Sequence, residues 1–136
     1  MSEPALRSQS RDVIQKGSKS FALASFFFNE EHRYGAWLLY SWCRFCDDAV
    51  DSVRGEEQRR ALLKLEENTR ACFLGLGPTD HPWAGFQLLV RKYDVPQLYA
   101  LDLLRGMRMD VEGFVYRTRA ELLDYCYCVA GTVGLM

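Results

Sequence analysis

The stretch LLYSWCRFCDDAVDS, residues 38–52, carries the pattern that decides the fold class. Its apolar residues recur at the period of a helix, and they do not alternate with polar residues as those of a half-buried strand do. We predict a helix from about Glu30 to Ser52 that begins at an Asn29 N-cap. Because this segment is apolar on nearly every face, we expect the helix to be buried.

The rest of the chain repeats the helical period and predicts an all-α protein. Thr118 and Glu121 have the spacing of a capping box and mark one helix start. The stretch 18–28 between the first two helices is expected to be an apolar connection. In chain order, the expected helices begin near Ala5, Glu30, Glu56, Trp83, Asp94 and Thr118.

Composition limits the classes of function. The 136 residues, 49% of them hydrophobic, suffice for a core, and a net charge of −1 offers no general attraction for nucleic acid. An odd number of cysteines inside apolar runs is typical of a reduced, cytosolic-type protein without a disulfide framework. No run of eighteen apolar residues occurs, so we expect no membrane-spanning helix.

The predicted second helix brings charged and phenolic side chains onto one stripe. Carboxylates one turn apart repel each other and lose hydration on burial, which is tolerable when cations compensate them. Oxygen ligands of this kind suit Mg²⁺ shared with substrate phosphates. The alternative is a solvated acidic patch paired with Arg44 and Arg54, but the apolar surroundings favour the metal, and Asp48 is turned away from the stripe. The stripe has spacings of four, three and four: Tyr40, Arg44, Asp47 and Asp51.

Three other patterns have two interpretations each. The segment GSKS at 17–20 could donate to an anion, although it is more typical of a turn between helices. Cys43 and Cys46 form a C-x-x-C that favours packing over zinc binding, because no second pair accompanies it. The aromatic residues around Tyr125 are typical of a helix packed in the core, although a tyrosine hydroxyl that faces the acidic stripe could interact with a cation or a departing proton.

Four segments in this order resemble the squalene and phytoene synthases. The resemblance implies an all-α isoprenoid-synthase helical bundle. It also implies a two-step reaction that joins two allylic diphosphates head to head into a cyclopropylcarbinyl diphosphate and then rearranges it to a linear hydrocarbon. The segments are GSKSFALASFFF at 17–28, LLYSWCRFCDDAVDS at 38–52, LLRGMRMDVEG at 103–113 and YCYCVAGTVGLM at 125–136.

The same resemblance implies roles for individual residues. Asp47 and Asp51 would hold Mg²⁺, or Mn²⁺ in its place, and Tyr125 would lie near the reacting carbons. Gly17 stands where some relatives carry a histidine. The expected substrate-binding residues are Ser18, Lys19, Ser20, Phe21, Tyr40 and Arg44, with Ala130, Val133 and Gly134 on the wall of the prenyl channel.

The expected activity is a Mg²⁺-dependent phytoene-type condensation of two geranylgeranyl diphosphates in carotenoid biosynthesis. Squalene or dehydrosqualene synthesis from farnesyl diphosphate is the alternative within the family, and a noncatalytic helical binding module is the alternative outside it. Residues 1–136 are interpreted as the amino-terminal part of a single helical prenyltransferase domain, cut at its carboxyl end and inactive alone. We expect a cytoplasmic protein that touches the membrane surface only peripherally.

Overall fold

Helices run along nearly the whole chain in the computed structural model, which describes all of residues 1–136. The all-α prediction is confirmed. The elements are α1 (Glu3–Gly17), α2 (Lys19–Ser25), α3 (Glu30–Asp51), α4 (Glu56–Phe73), α5 (Trp83–Tyr93), α6 (Gln97–Val111), α7 (Arg119–Cys126), a π-helical turn (Tyr127–Gly131) and α8 (Thr132–Leu135).

Side-chain caps fix three of the helix starts. The Asn29 side chain accepts a 2.8 Å bond from the backbone N–H of His32, and Thr118 forms the expected capping box with Glu121. The third cap differs from expectation. Ser18 accepts a bond from the backbone N–H of Phe21 and starts α2 in a stretch that we had predicted to be only a connection.

Helix α3 lies at the centre of the fold, where it packs against α1, α4 and α5. Trp42 is fully buried on α3 and stacks on Phe86 of α5 with ring centroids 4.0 Å apart. Stacked aromatic rings of this size contribute much of the apolar burial in a small core. The contact with Phe86 therefore fixes the position of α3, and with it the side chains on the opposite face of that helix.

That opposite face corrects one prediction. We expected α3 to be buried on every face, but Phe45, Asp47, Asp48 and Asp51 are exposed. The apolar residues of α3 supply more surface than the neighbouring helices cover, so one side remains open. The aspartates therefore lie at an accessible surface.

The carboxyl-terminal helical segment begins where predicted but is not a regular α-helix. The π-helical turn separates α7 from α8, and helical backbone angles continue through it, with φ −59° and ψ −42° at Gly131. The turn packs closely on α6, where a Cβ built on Gly106 would lie 2.8 Å from Val129 Cγ1. Glycine at this position therefore lets the two helical segments approach. No helix has both the length and the apolar character needed to cross a bilayer.

Candidate active site

A large groove of about 1070 Å³ lies between α1, α2, α3, α5, α6 and the carboxyl-terminal helical segment. Most of its lining residues are hydrophobic, and the charged ones are confined to Arg44, Asp47 and Asp110, with His32 the other titratable nitrogen. The groove therefore offers long apolar walls with a few charged groups. Eight of the predicted site residues line it: Phe21, Tyr40, Arg44, Asp47, Tyr125, Ala130, Val133 and Gly134.

The carboxylate of Asp47 lies in an unfavourable electrostatic environment. Although Asp47 is exposed as a residue, partial desolvation of its carboxylate raises its pKa, and the charges of Asp51, Asp48 and Asp110 raise it further, while Arg44 opposes them. The raised pKa means that the folded protein supplies too little positive charge to compensate the ionised carboxylate. A cation bound here would relieve this repulsion.

The remainder of the acidic stripe is partly solvated. Asp51 is exposed and is absent from the groove lining. Asp48 faces the surface and pairs with Arg44, whose Nε lies 3.4 Å from Oδ1. Arg54 donates to the backbone carbonyls of Asp51 and Val53 and forms no ion pair with a carboxylate. The solvated alternative thus describes Asp48, whereas Tyr40, Arg44 and Asp47 share the groove as the helical spacing predicted.

Asp110 is a further residue of the site that the sequence patterns did not predict. It lines the groove from α6 and accepts a hydrogen bond from the Tyr125 hydroxyl, which lies 2.9 Å from each carboxylate oxygen. Burial and the bond to Asp110 together raise the pKa of Tyr125 to about 12. Asp110 belongs to the segment LLRGMRMDVEG, which resembles the family. No pattern within that segment, however, indicates that its carboxylate meets Tyr125.

The GSKS segment is only partly connected to the groove. Ser18 is used as the cap of α2, while Lys19 and Ser20 are exposed and do not line the groove. Gly17 contributes differently, because a Cβ built on it would overlap the hydroxyl oxygen of Tyr40. The missing side chain at position 17 is what allows the Tyr40 phenol to pack against the end of α1.

We therefore expect Gly17→Ala to displace the Tyr40 hydroxyl and to raise KM for the ligand of the groove several-fold with a smaller effect on kcat. The physical reason is steric, since a Cβ at position 17 would overlap the Tyr40 hydroxyl and requires the phenol to move. Steady-state kinetics of the complete protein measures the effect. The matched control is Gly17→Ala in a Tyr40→Phe background, where the hydroxyl is absent and the added penalty should shrink. An equal penalty in both backgrounds would contradict this account.

The carboxylates at this end of the groove are too few to enclose a metal ion, but they are enough for Mg²⁺. No group of three or more His, Cys, Asp or Glu side chains converges on a point. Mg²⁺ needs fewer protein ligands, because it keeps several waters and uses one or two carboxylates together with substrate phosphates. The raised pKa of Asp47, caused by burial and by its carboxylate neighbours, is what a cation at this end of the groove would reverse.

The two cysteines of the C-x-x-C motif have different surroundings on α3: Cys46 is buried in the core, whereas Cys43 is half-buried, packs against the core and lines the groove. Burial raises the pKa of the Cys43 thiol to about 12, and that of Cys46 is also raised by burial. Both thiols are therefore neutral near pH 7, which suits packing and not metal ligation. All five cysteines are unpaired, as expected.

Comparisons with known proteins agree with this arrangement. The model of the squalene/phytoene synthase family matches residues 14–136. The 15-cis-phytoene synthase of Pantoea ananas is 37% identical over 147 aligned positions that include 100% of this chain and 47% of that protein. The 15-cis-phytoene synthase of a Paracoccus species is 38% identical, with 93% of this chain and 44% of that protein covered. The chain thus spans about half the length of the curated relatives it matches.

Solved structures extend the similarity to three dimensions. A dehydrosqualene synthase in complex with ligand superposes with a TM-score of 0.87 at 29% identity, covering 98% of this chain and 46% of that one. A squalene synthase from Alicyclobacillus acidocaldarius gives a TM-score of 0.84 at 26% identity, covering 96% and 49%. The expected isoprenoid-synthase fold is therefore confirmed for this chain.

Proposed function

This chain belongs to the squalene/phytoene synthase family, and we propose that its protein joins two geranylgeranyl diphosphates head to head to form phytoene, with release of diphosphate. The observation that carries the proposal is the groove, which combines long apolar walls with Arg44, Asp47 and Asp110. A prenyl diphosphate has the same division between an apolar chain and a charged head. The relatives that match at 37% and 38% identity are named as phytoene synthases, which favours this activity over squalene synthesis.

The charged residues of the groove would bind the diphosphate head. Arg44 is half exposed and donates only one long contact to Asp48, so its guanidinium can reorient to a phosphate oxygen. Asp47, with Asp51 beside it on α3, would hold Mg²⁺, which supplies positive charge against the leaving diphosphate. Tyr40 lines the same part of the groove and can donate its hydroxyl proton to an anion.

The apolar walls would accommodate the prenyl chain and exclude water. Loss of diphosphate from an allylic substrate leaves a carbocation that water would capture, so the reacting carbons need a dry, apolar surrounding. Aromatic faces also attract positive charge, and Phe21, Tyr40 and Tyr125 all line the groove. At about 1070 Å³, the groove is slightly larger than the range of about 300 to 1,000 Å³ that pockets for drug-sized ligands occupy.

The test is to incubate the complete protein with Mg²⁺ and either geranylgeranyl or farnesyl diphosphate and to identify the hydrocarbon by mass spectrometry. We expect phytoene from geranylgeranyl diphosphate and little product from farnesyl diphosphate. Product from farnesyl diphosphate alone would support the squalene-type alternative. Absence of hydrocarbon from both substrates would contradict the proposed reaction.

We further propose peripheral contact with a membrane through the aromatic turn, defined as Phe26, Phe27 and Phe28. Phe27 is 91% exposed at its tip. Arg33 donates to the carbonyls of Ser25, Phe26 and Phe28 and lies over the Phe26 ring, which holds the turn in place with the Phe27 ring outward. Phe28 also lines the groove, so the turn would connect the bilayer with the binding site of a long hydrocarbon.

Phe27→Glu is therefore expected to weaken sedimentation of the complete protein with phospholipid vesicles by about tenfold, since it replaces an inserted apolar ring by a charge. Leu74→Glu is the matched control, because Leu74 is 75% exposed but lies far along the chain, after α4. The control should bind vesicles as the unsubstituted protein does. Equal vesicle binding by all three proteins would show that the aromatic turn does not contact the membrane.

A further inference from the structure

The bond between Tyr125 and Asp110 joins two walls of the groove. Asp110 lies at the end of α6 and Tyr125 near the end of α7, and both side chains line the groove. The hydroxyl lies 2.9 Å from both oxygens of the carboxylate. Tyr116, in the segment between these helices, packs on Tyr125 with ring centroids 5.0 Å apart. The phenol is therefore held at its hydroxyl by one group and along its ring by another.

We propose that Asp110 is a positioning residue that fixes the direction and protonation of the Tyr125 hydroxyl at the reacting end of the groove. The inference rests on the proposed function, because it assigns Tyr125 to the prenyl-transfer site. With its proton donated to Asp110, the hydroxyl keeps its oxygen lone pairs free to face positive charge in the groove. The Tyr125 hydroxyl would thus serve as a fixed dipole near a developing carbocation.

The bond is not needed to attach α7 to α6. Arg105 of α6 forms two bonds of 2.8 and 3.1 Å to Asp124, and the Tyr127 hydroxyl donates to Asp102 at 2.8 Å. Neither Asp102 nor Tyr127 lines the groove. The two helical segments are therefore already joined on their far side. What remains for Asp110 to determine is where the Tyr125 hydroxyl points.

The pair of Asp102 with Tyr127 supplies an internal control. It is also a tyrosine–aspartate bond to α6, but Tyr127 belongs to the π-helical turn, Asp102 pairs in addition with Arg105 at 3.3 Å, and the bond lies outside the groove. A purely structural role predicts that Asp110→Asn and Asp102→Asn have similar consequences. A positioning role predicts that Asp110→Asn changes the kinetics much more than Asp102→Asn does, although Asp102→Asn also loses its ion pair with Arg105 and should lower the melting temperature at least as much.

The first experiment measures kcat and KM of the complete protein with geranylgeranyl diphosphate. We expect Asp110→Asn to lower kcat by roughly 10- to 100-fold, the scale on which a misplaced reacting group slows an enzyme. KM should change less, and Asp102→Asn should leave kcat within about twofold. The double variant Asp110→Asn with Tyr125→Phe should be no slower than Tyr125→Phe alone, because both changes remove one function. Equal kcat in the two asparagine variants, or independent losses in the double variant, would overturn the proposal.

A second experiment does not require turnover, and so separates failure of this inference from failure of the proposed reaction. Phenolate absorbance in the near ultraviolet is followed with rising pH, with Tyr125→Phe as the reference that isolates Tyr125. The groups facing this phenol are Asp110 from α6, Tyr116 from the connecting segment, and Cys126, which follows Tyr125 in the chain. Loss of the anionic acceptor in Asp110→Asn should lower the pKa of Tyr125 from about 12 toward its ordinary value. An unchanged titration would overturn the proposal whether or not the protein makes a hydrocarbon.

Discussion

Asp47→Asn in the complete protein is expected to reduce turnover by roughly 1,000-fold or more, because metal-mediated stabilisation of a leaving group contributes several kcal/mol. The substitution keeps the shape of the side chain and removes its charge. Asp47 is the predicted metal ligand that lines the groove, so its charge has the most direct access to the diphosphate. Asp51→Asn should act in the same direction, since its charge lies close enough to raise the pKa of Asp47.

The fold should survive this change and become slightly more stable. The pKa of Asp47 is raised by burial and by neighbouring carboxylates, so ionisation of Asp47 is unfavourable in the folded state. A raised carboxyl pKa gives a contribution to stability that is complete below the unfolded-state pKa and is lost as the pH rises through the folded-state pKa. Asp47→Asn should therefore melt above the unsubstituted protein at neutral pH, and this difference should vanish in acid.

The control for Asp47 is Asp48→Asn on the same helix. Asp48 faces away from the groove and pairs with Arg44 across a 3.4 Å exposed contact, so its loss should change turnover much less. Turnover is measured across a Mg²⁺ titration, with circular dichroism as a check on folding. Undiminished turnover of Asp47→Asn at every Mg²⁺ concentration would refute the assignment of Asp47.

The largest expected effect on stability comes from Trp42→Ala, which should lower the free energy of unfolding by about 3–5 kcal/mol. Trp42 is fully buried and stacks on Phe86, so its truncation removes a stacked aromatic contact between α3 and α5 and leaves a cavity. Phe45→Ala on the same helix is the control, because Phe45 is 38% exposed. Its truncation leaves no closed cavity and should cost much less.

Urea unfolding followed by circular dichroism gives both free energies if the transition slopes stay equal. Comparable losses for Trp42→Ala and Phe45→Ala would show that the stack of Trp42 on Phe86 does not dominate the core. The same pair of variants also tests the site indirectly. If α3 shifts when its buried face is truncated, Arg44 and Asp47 on the opposite side should lose their alignment as well.

Much of the helical architecture could be predicted because its causes are local. The Asn29 cap and the Thr118 capping box each involve residues three apart, so both can be recognised in the sequence alone. The same short range explains why Tyr40, Arg44 and Asp47 share the groove, whereas Asp51, the fourth residue predicted for that stripe, does not line it. Ser18 was recognised as a polar residue in a turn, but its use as the cap of α2 was missed because Lys19–Ser25 has only seven residues of helix to signal it.

Local sequence patterns are enough to predict the helices, several of their ends and most of the stripe of α3, since backbone hydrogen bonds and side-chain periodicity in a helix connect residues only three or four apart. Which of those helix faces meet depends on the packing of the whole chain. Burial of α3 was overestimated because an apolar face does not reveal whether another helix covers it. Asp110 and Tyr125 are fifteen residues apart and meet only because α6 packs against the π-helical turn that continues α7. Contacts of that range depend on how whole helices pack, which no local pattern encodes.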